Sequence, residues 1–180
     1  IDQVNQEMEG FAILKGIESD ILPDGSLDYE ASILKEFDFV IASVHSHFTM
    51  SREEMTQRVI NAIRNPYTTI LAHPTGRLLL AREPYAIDMM RLIDEASRSG
   101  VAIELNAHPY RLDIDWRLCK YAKEKGVKIA INPDGHEEEG LKDTYYGVGI
   151  GRKGWLEPGD ILNAMDFGEM KAFLERRKPS

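Results

Sequence analysis

The sequence predicts an α/β fold, a parallel sheet covered by helices with a polar site along one edge of the sheet. Three observations carry this. Five short apolar stretches rich in β-branched residues, at 11–17, 37–44, 68–72, 101–105 and 127–131, read as buried strands. Helical patterns separate them, and strands alternating with helices through short connections pair in parallel. All five histidines follow four of these strands closely, and a glutamate follows the remaining one.

Each helix has its own signals. Ser51 and Glu54 form a capping box, with Met55, Val59, Ala62 and Ile63 on one apolar face until Asn65-Pro66 stops the helix. Pro84 is expected to open a second helix, with Ala86, Met89, Met90, Ile93 and Ala96 inward and Gly100 as its stop. A third is expected over 113–125, with Trp116, Cys119 and Ala122 on one side and Gly126 at its end. Gly147-Val-Gly-Ile-Gly151 lacks the Lys-Ser/Thr of a phosphate loop and reads as a tight final strand or turn. A further helix is expected near Glu157-Pro158, followed by a charged tail over 171–180, whereas Glu137–Glu139 reads as a solvated loop or helix start.

Composition narrows the function. A chain of 180 residues fits one domain, and 43% hydrophobic with 29% charged residues is ordinary for a globular protein. No apolar run approaches the roughly 20 residues of a membrane-spanning helix. The single cysteine, Cys119, makes neither an internal disulfide nor a thiolate zinc site, and with no signal-peptide pattern the expected location is cytoplasmic. A formal charge of −8 argues against a protein that coats nucleic acid through its backbone phosphates.

The residues after each strand carry the chemistry: Glu18 with Asp20, His45 with His47, His73, His108, and Asp134 with His136. The carboxyl ends of strands build the active sites of parallel α/β folds. Imidazoles and carboxylates converging there are a ligand set for Zn²⁺, Mn²⁺ or Fe²⁺, and such an ion activates water for hydrolysis. His47 and His108 each fit a structural role as well as a ligating one. Arg77 and Arg111 stand close enough to these ends to contact a phosphate, although paired or solvated arginine is the commoner state. Cys119 lies inside a helix and no Gly-x-Ser-x-Gly is present, so nothing supports a nucleophilic Ser or Cys.

These strand-end motifs, Gly16-Ile-Glu18-Ser-Asp-Ile, Ala42-Ser-Val-His45-Ser, Leu71-Ala-His73-Pro-Thr-Gly-Arg77, Glu104-Leu-Asn-Ala-His-Pro-Tyr-Arg-Leu-Asp113 and Asn132-Pro-Asp134-Gly-His136, resemble the PHP (polymerase and histidinol phosphatase) domain. The resemblance is strongest to the version at the C-terminus of bacterial X-family DNA polymerases and continues through Gly147–Leu156. It implies a distorted (β/α) barrel, here lacking its first strands, so that residues 1–180 are the C-terminal portion of one phosphoesterase domain. It implies Glu18, His45, His73, Asp134 and His136 as ligands of a divalent metal cluster, Mn or Zn before Mg or Fe. An opening His-x-His motif and a following Asp-His motif, expected upstream of Ile1, would supply the remaining ligands. The implied activity is 3′–5′ exonucleolytic hydrolysis of DNA in repair, beside a polymerase domain in the same full-length chain. The alternatives are a histidinol-phosphate-type phosphatase and a non-catalytic module that stabilises a polymerase.

Overall fold

A computed structural model describes residues 1–176. Its frame is a five-stranded sheet in which every pair is parallel and spatial order follows chain order. The strands are β1 (Gly16–Asp20), β2 (Phe39–Ser43), β3 (Thr68–Leu71), β4 (Ala102–Asn106) and β5 (Ile129–Asn132). Strictly sequential order is what right-handed crossovers give when every helix packs on the same side. β1 and β5 are the sheet's two edges among the described residues.

Following α1 (Asp2–Glu7) and the single turn α2 (Ala31–Leu34), the crossover helices are α3 (Arg52–Arg64), α4 (Met89–Ser99) and α5 (Trp116–Glu124). The capping box forms as expected, with Ser51 accepting from the Glu54 amide and Glu54 from the Ser51 amide. The main core lies between these helices and the sheet, where Met55, Val59, Ile63, Leu92, Ile93, Leu105 and Cys119 are buried together. Met90 is instead exposed. The opposite face of the sheet carries Ile70, Ala102 and Ala130, covered by Leu162 and by Met165, Met170 and Phe173. The last two of these belong to α7 (Phe167–Glu175).

Several elements differ from the sequence reading. The first strand starts at Gly16, at the far end of the expected stretch, so Glu18 lies within β1 and not beyond it. Pro84 does not open α4; that helix begins at Met89, capped by Asp88, whose carboxylate accepts from the Arg91 amide. The segment expected as a final strand or turn is the helix α6 (Thr144–Lys153). Its glycines are costly for a helix in isolation, but Gly147 needs to be bare. A Cβ there would stand 2.5 Å from Ile131 Cγ2 and 2.7 Å from Ala107 Cβ, so the glycine lets α6 lie directly on the sheet's carboxyl edge. Near Glu157 the chain makes only short 3-10 turns. The expected charged tail is helical through Glu175, and 177–180 lie outside the described residues.

Candidate metal centre

Strand register places the site. Glu18 is opposite Ile41, Glu104 opposite Ala130, and Asn106 opposite Asn132. Because strand side chains alternate, these polar residues project from the face turned away from α3–α5. There, Glu18, His73, Glu104, Asn132 and Asp134 line a cavity of about 350 Å³, whose remaining walls are apolar apart from Asn163.

Three adjacent strands bring together a triad. Ligand atoms of Glu18, His45 and His73 all lie within 4.8 Å of one another. Glu18 Oε1 is 3.3 Å from His73 Nε2 and 3.5 Å from His45 Nε2. On the far side of the His45 ring, Nδ1 meets Asp20 Oδ1 at 2.5 Å. A carboxylate on the second nitrogen fixes ring orientation and raises basicity, as is usual behind metal-binding histidines. The hydrogen bond from His73 outweighs burial and draws the Glu18 carboxyl down to about 2. Burial works against charge on His73, but its bond to Glu18 and the charge of Glu104 raise its pKa overall.

His73 is fixed from behind. Its backbone N–H donates to Glu104 Oε2 at 2.8 Å, and Asn106 and Asn132 donate to the same carboxylate at 3.1 and 2.9 Å. Asn106 Nδ2 also lies 3.1 Å from Asp134 Oδ2, joining the two sides of the cavity. Asp134 also accepts from Arg111 Nε at 3.0 Å. His136 turns its Nδ1 to the Asp134 carbonyl at 2.9 Å. Neither joins the Glu18–His45–His73 group, and the remaining histidines, exposed His47 and half-buried His108, also stand outside it. His73 and Asp134 have φ of 26° and 52°. Non-glycine residues seldom adopt such backbone, and it concentrates at functional sites.

The two arginines differ. Arg77 donates Nε to the Arg111 carbonyl at 2.8 Å and Nη2 to the Leu112 carbonyl, while Nη1 faces Asp115 at 3.6 Å. It organises the loop after β4, and those commitments leave it little to offer a phosphate. Arg111 keeps one buried nitrogen, Nη1, without a hydrogen-bond partner.

Sequence reasoning missed Glu104, Asp113 and Arg58. Glu104 had a signal, an acid inside the otherwise buried Ala102–Asn106 strand. Asp113 is fully buried and accepts from the Thr75 amide and hydroxyl, both at 2.9 Å, tying the His73 loop to the loop after β4. Arg58 of α3 is 2% exposed and donates to the carbonyls of Ile21, Leu22 and Ser46. It therefore clamps the chain where it leaves β1 and β2, beside Asp20 and His45.

The donor set suits a divalent cation. It comprises one carboxylate and two imidazoles that converge from three neighbouring strands. Oxygen and nitrogen donors without thiolate match borderline or hard ions such as Zn²⁺, Mn²⁺ or Fe²⁺. Fold and site together define an α/β protein with a possible metal-binding triad at the carboxyl edge of a parallel sheet.

No family model matches the chain. It is 47% identical over 176 residues to the DNA polymerase/3′-5′ exonuclease PolX of Bacillus subtilis, a match covering 98% of this chain and 31% of that protein. It is 31% identical over 183 residues to a probable phosphatase of Thermoanaerobacter sp., covering 96% of this chain and 72% of the relative. A probable phosphatase of Caldanaerobacter subterraneus is 34% identical over 143 residues, or 74% of this chain and 54% of the relative. The chain belongs to the family of these probable phosphatases. It spans under a third of the length of the PolX relative. Among the described residues no helix is long and apolar enough to cross a membrane.

Proposed function

We propose that the chain is part of a PHP-type phosphoesterase domain that hydrolyses DNA phosphodiesters from the 3′ end, in a protein that also carries an X-family polymerase domain. The observation that carries the hydrolytic reading is the convergence of Glu18, His45 and His73 from three neighbouring strands. The DNA reading is supported by the greater identity to PolX than to the phosphatases. A bound divalent ion supplies a water activated near neutral pH and charge to offset the phosphate.

The chain's own residues do the rest. Asp20 holds the His45 ring so that Nε2 faces Glu18, and Glu104 holds the backbone of His73. Asp134 and His136, across the cavity and beside it, complete the proposed ligand set. Arg111, anchored through Nε to Asp134, has Nη1 left for a phosphate oxygen. The second reading, a small-molecule phosphatase, rests on the relatives named as phosphatases.

The test is hydrolysis by the full-length protein carrying this chain, loaded with Mn²⁺. Expected are shortening of 5′-labelled single-stranded DNA from its 3′ end, little turnover of a phosphomonoester panel, and loss of activity in His45→Ala and His73→Ala. Rapid turnover of phosphomonoesters with intact DNA would favour the small-molecule reading. No hydrolysis of either, with no bound metal, would leave the non-catalytic module.

A further inference from the structure

A second cavity, of about 450 Å³, adjoins the candidate metal centre on the side of Asp134 and His136. Its walls come from two loops, residues 78–81 after β3 and 108–111 after β4. The Leu79 amide donates to the Tyr110 carbonyl at 2.6 Å and joins the two loops, while the Leu78 amide closes the first loop on the Arg82 carbonyl at 2.9 Å. This is a built wall on a volume ordinary for a small-molecule site.

The chemistry of the wall is lopsided. Away from the metal centre it is apolar and aromatic, with Leu79, Leu80, His108 and Tyr110. Leu80 is fully exposed and Tyr110 is 61% exposed, so large apolar groups face outward here. The Leu80 backbone has a φ of 66°, a conformation costly for a leucine. The His108 and Tyr110 rings lie 5.6 Å apart with their planes tilted by 34°, so two neighbouring aromatic rings line this wall. His108 Nδ1 accepts from the Tyr110 amide at 3.2 Å, so a neutral ring carries its proton on Nε2 as a free donor. Toward the metal centre the wall turns polar, with Arg111 and Asp134.

A ligand that fits has a flat face at one end and an anionic group at the other. A sugar phosphate lacks the first, and its hydroxyls would meet leucine. We infer that this cavity is a nucleobase subsite, in which His108 and Tyr110 stack on the terminal base of a nucleotide whose phosphate lies at Arg111 and the metal centre. The inference rests on the phosphoesterase reading for the position of the phosphate, while the base subsite stands on the wall itself. It assigns His108, which lies outside the metal triad, a part in substrate selection.

The test compares binding of thymidine 5′-monophosphate and 2-deoxyribose 5-phosphate to the Mn²⁺-loaded full-length protein by calorimetry. Base–aromatic stacking gives the nucleotide an advantage of about tenfold or more. Tyr110→Ala is expected to erase that advantage, and Tyr110→Phe, which keeps the ring, to retain it. Equal affinities in the unaltered protein, or an advantage that survives Tyr110→Ala, would overturn the proposal. A second arm measures cleavage of oligonucleotides ending in a normal or an abasic nucleotide. Cleavage without discrimination between them overturns the base subsite alone. A Tyr110-dependent nucleotide preference in a protein that cleaves no DNA overturns the phosphodiesterase reading and leaves the subsite standing.

Discussion

Arg58→Met should cost far more than a typical helix substitution, and the structure gives the size. The guanidinium is 2% exposed and bridges the exits of two strands. Nε reaches the Leu22 carbonyl at 2.9 Å, Nη1 the Ser46 carbonyl at 2.9 Å, and Nη2 the Ile21 carbonyl. Leu22 keeps a second donor, the Gly25 amide at 2.8 Å, so its loss is partial. Burial lowers the Arg58 pKa, and Met avoids the cost of burying that charge. Two carbonyls left without this donor, at about 1–3 kcal/mol each, minus that relief, give a net loss of about 2–4 kcal/mol. For a domain stable by about 5–15 kcal/mol this is a large fraction. Urea unfolding at pH 7 measures it, and Arg58→Lys, which can replace only part of the fork, should fall between. Because the clamp sits beside Asp20 and His45, Mn²⁺ affinity should fall in parallel. A loss below about 1 kcal/mol with unchanged metal affinity would refute the clamp.

Four further outcomes are expected. Asp20→Asn should weaken metal binding by about 10–100-fold while hardly changing the urea midpoint, since it removes only the group behind His45. The paired arginines, Arg64 foremost, hold the buried Glu95 carboxyl down at about 2. Its contribution is therefore complete above about pH 4.5 and lost as pH falls toward 2. Glu95→Gln should cost about 1–2 kcal/mol at pH 7, discounted because the arginines are largely exposed, with the gap to the unaltered protein narrowing at pH 3. Gly147→Ala should destabilise by about 1–2 kcal/mol in thermal or urea unfolding, because its methyl meets Ile131 and Ala107 despite a better helix propensity. Burial pushes the Cys119 thiol up to about 12, so a maleimide at pH 8 should label it only as the protein unfolds.

Much of the site was legible because chemistry-bearing residues sit at fixed short offsets from apolar strands. His45 and His73 each lie two residues past their strand, and that regularity can be read without coordinates. Glu18 was legible as a residue type, yet its place within β1 depended on which end of the 11–17 stretch pairs with β2. Glu104 and Arg58 were hidden for a common reason. A buried charge is recognisable only by its partners, and theirs come from 31 residues away in the chain for Glu104 and the His73 amide, and 36 for Arg58 and Leu22. The helix through Gly147–Gly151 was misread because local propensity disfavours it, while close packing on the sheet decides it.

By itself, then, the sequence determined the alternation of strands and helices, the parallel sheet, and the gathering of histidines at one edge. Those follow from hydrophobic periodicity and capping, which are local. Only the tertiary structure decided that Glu18, His45 and His73 form a triad, that Asp134 is held apart on Asn106 and Arg111, and that Arg77 belongs to loop carbonyls. Which donor meets which acceptor depends on strand register and loop closure, and a side chain's neighbours across the sheet leave no mark on its neighbours in the chain.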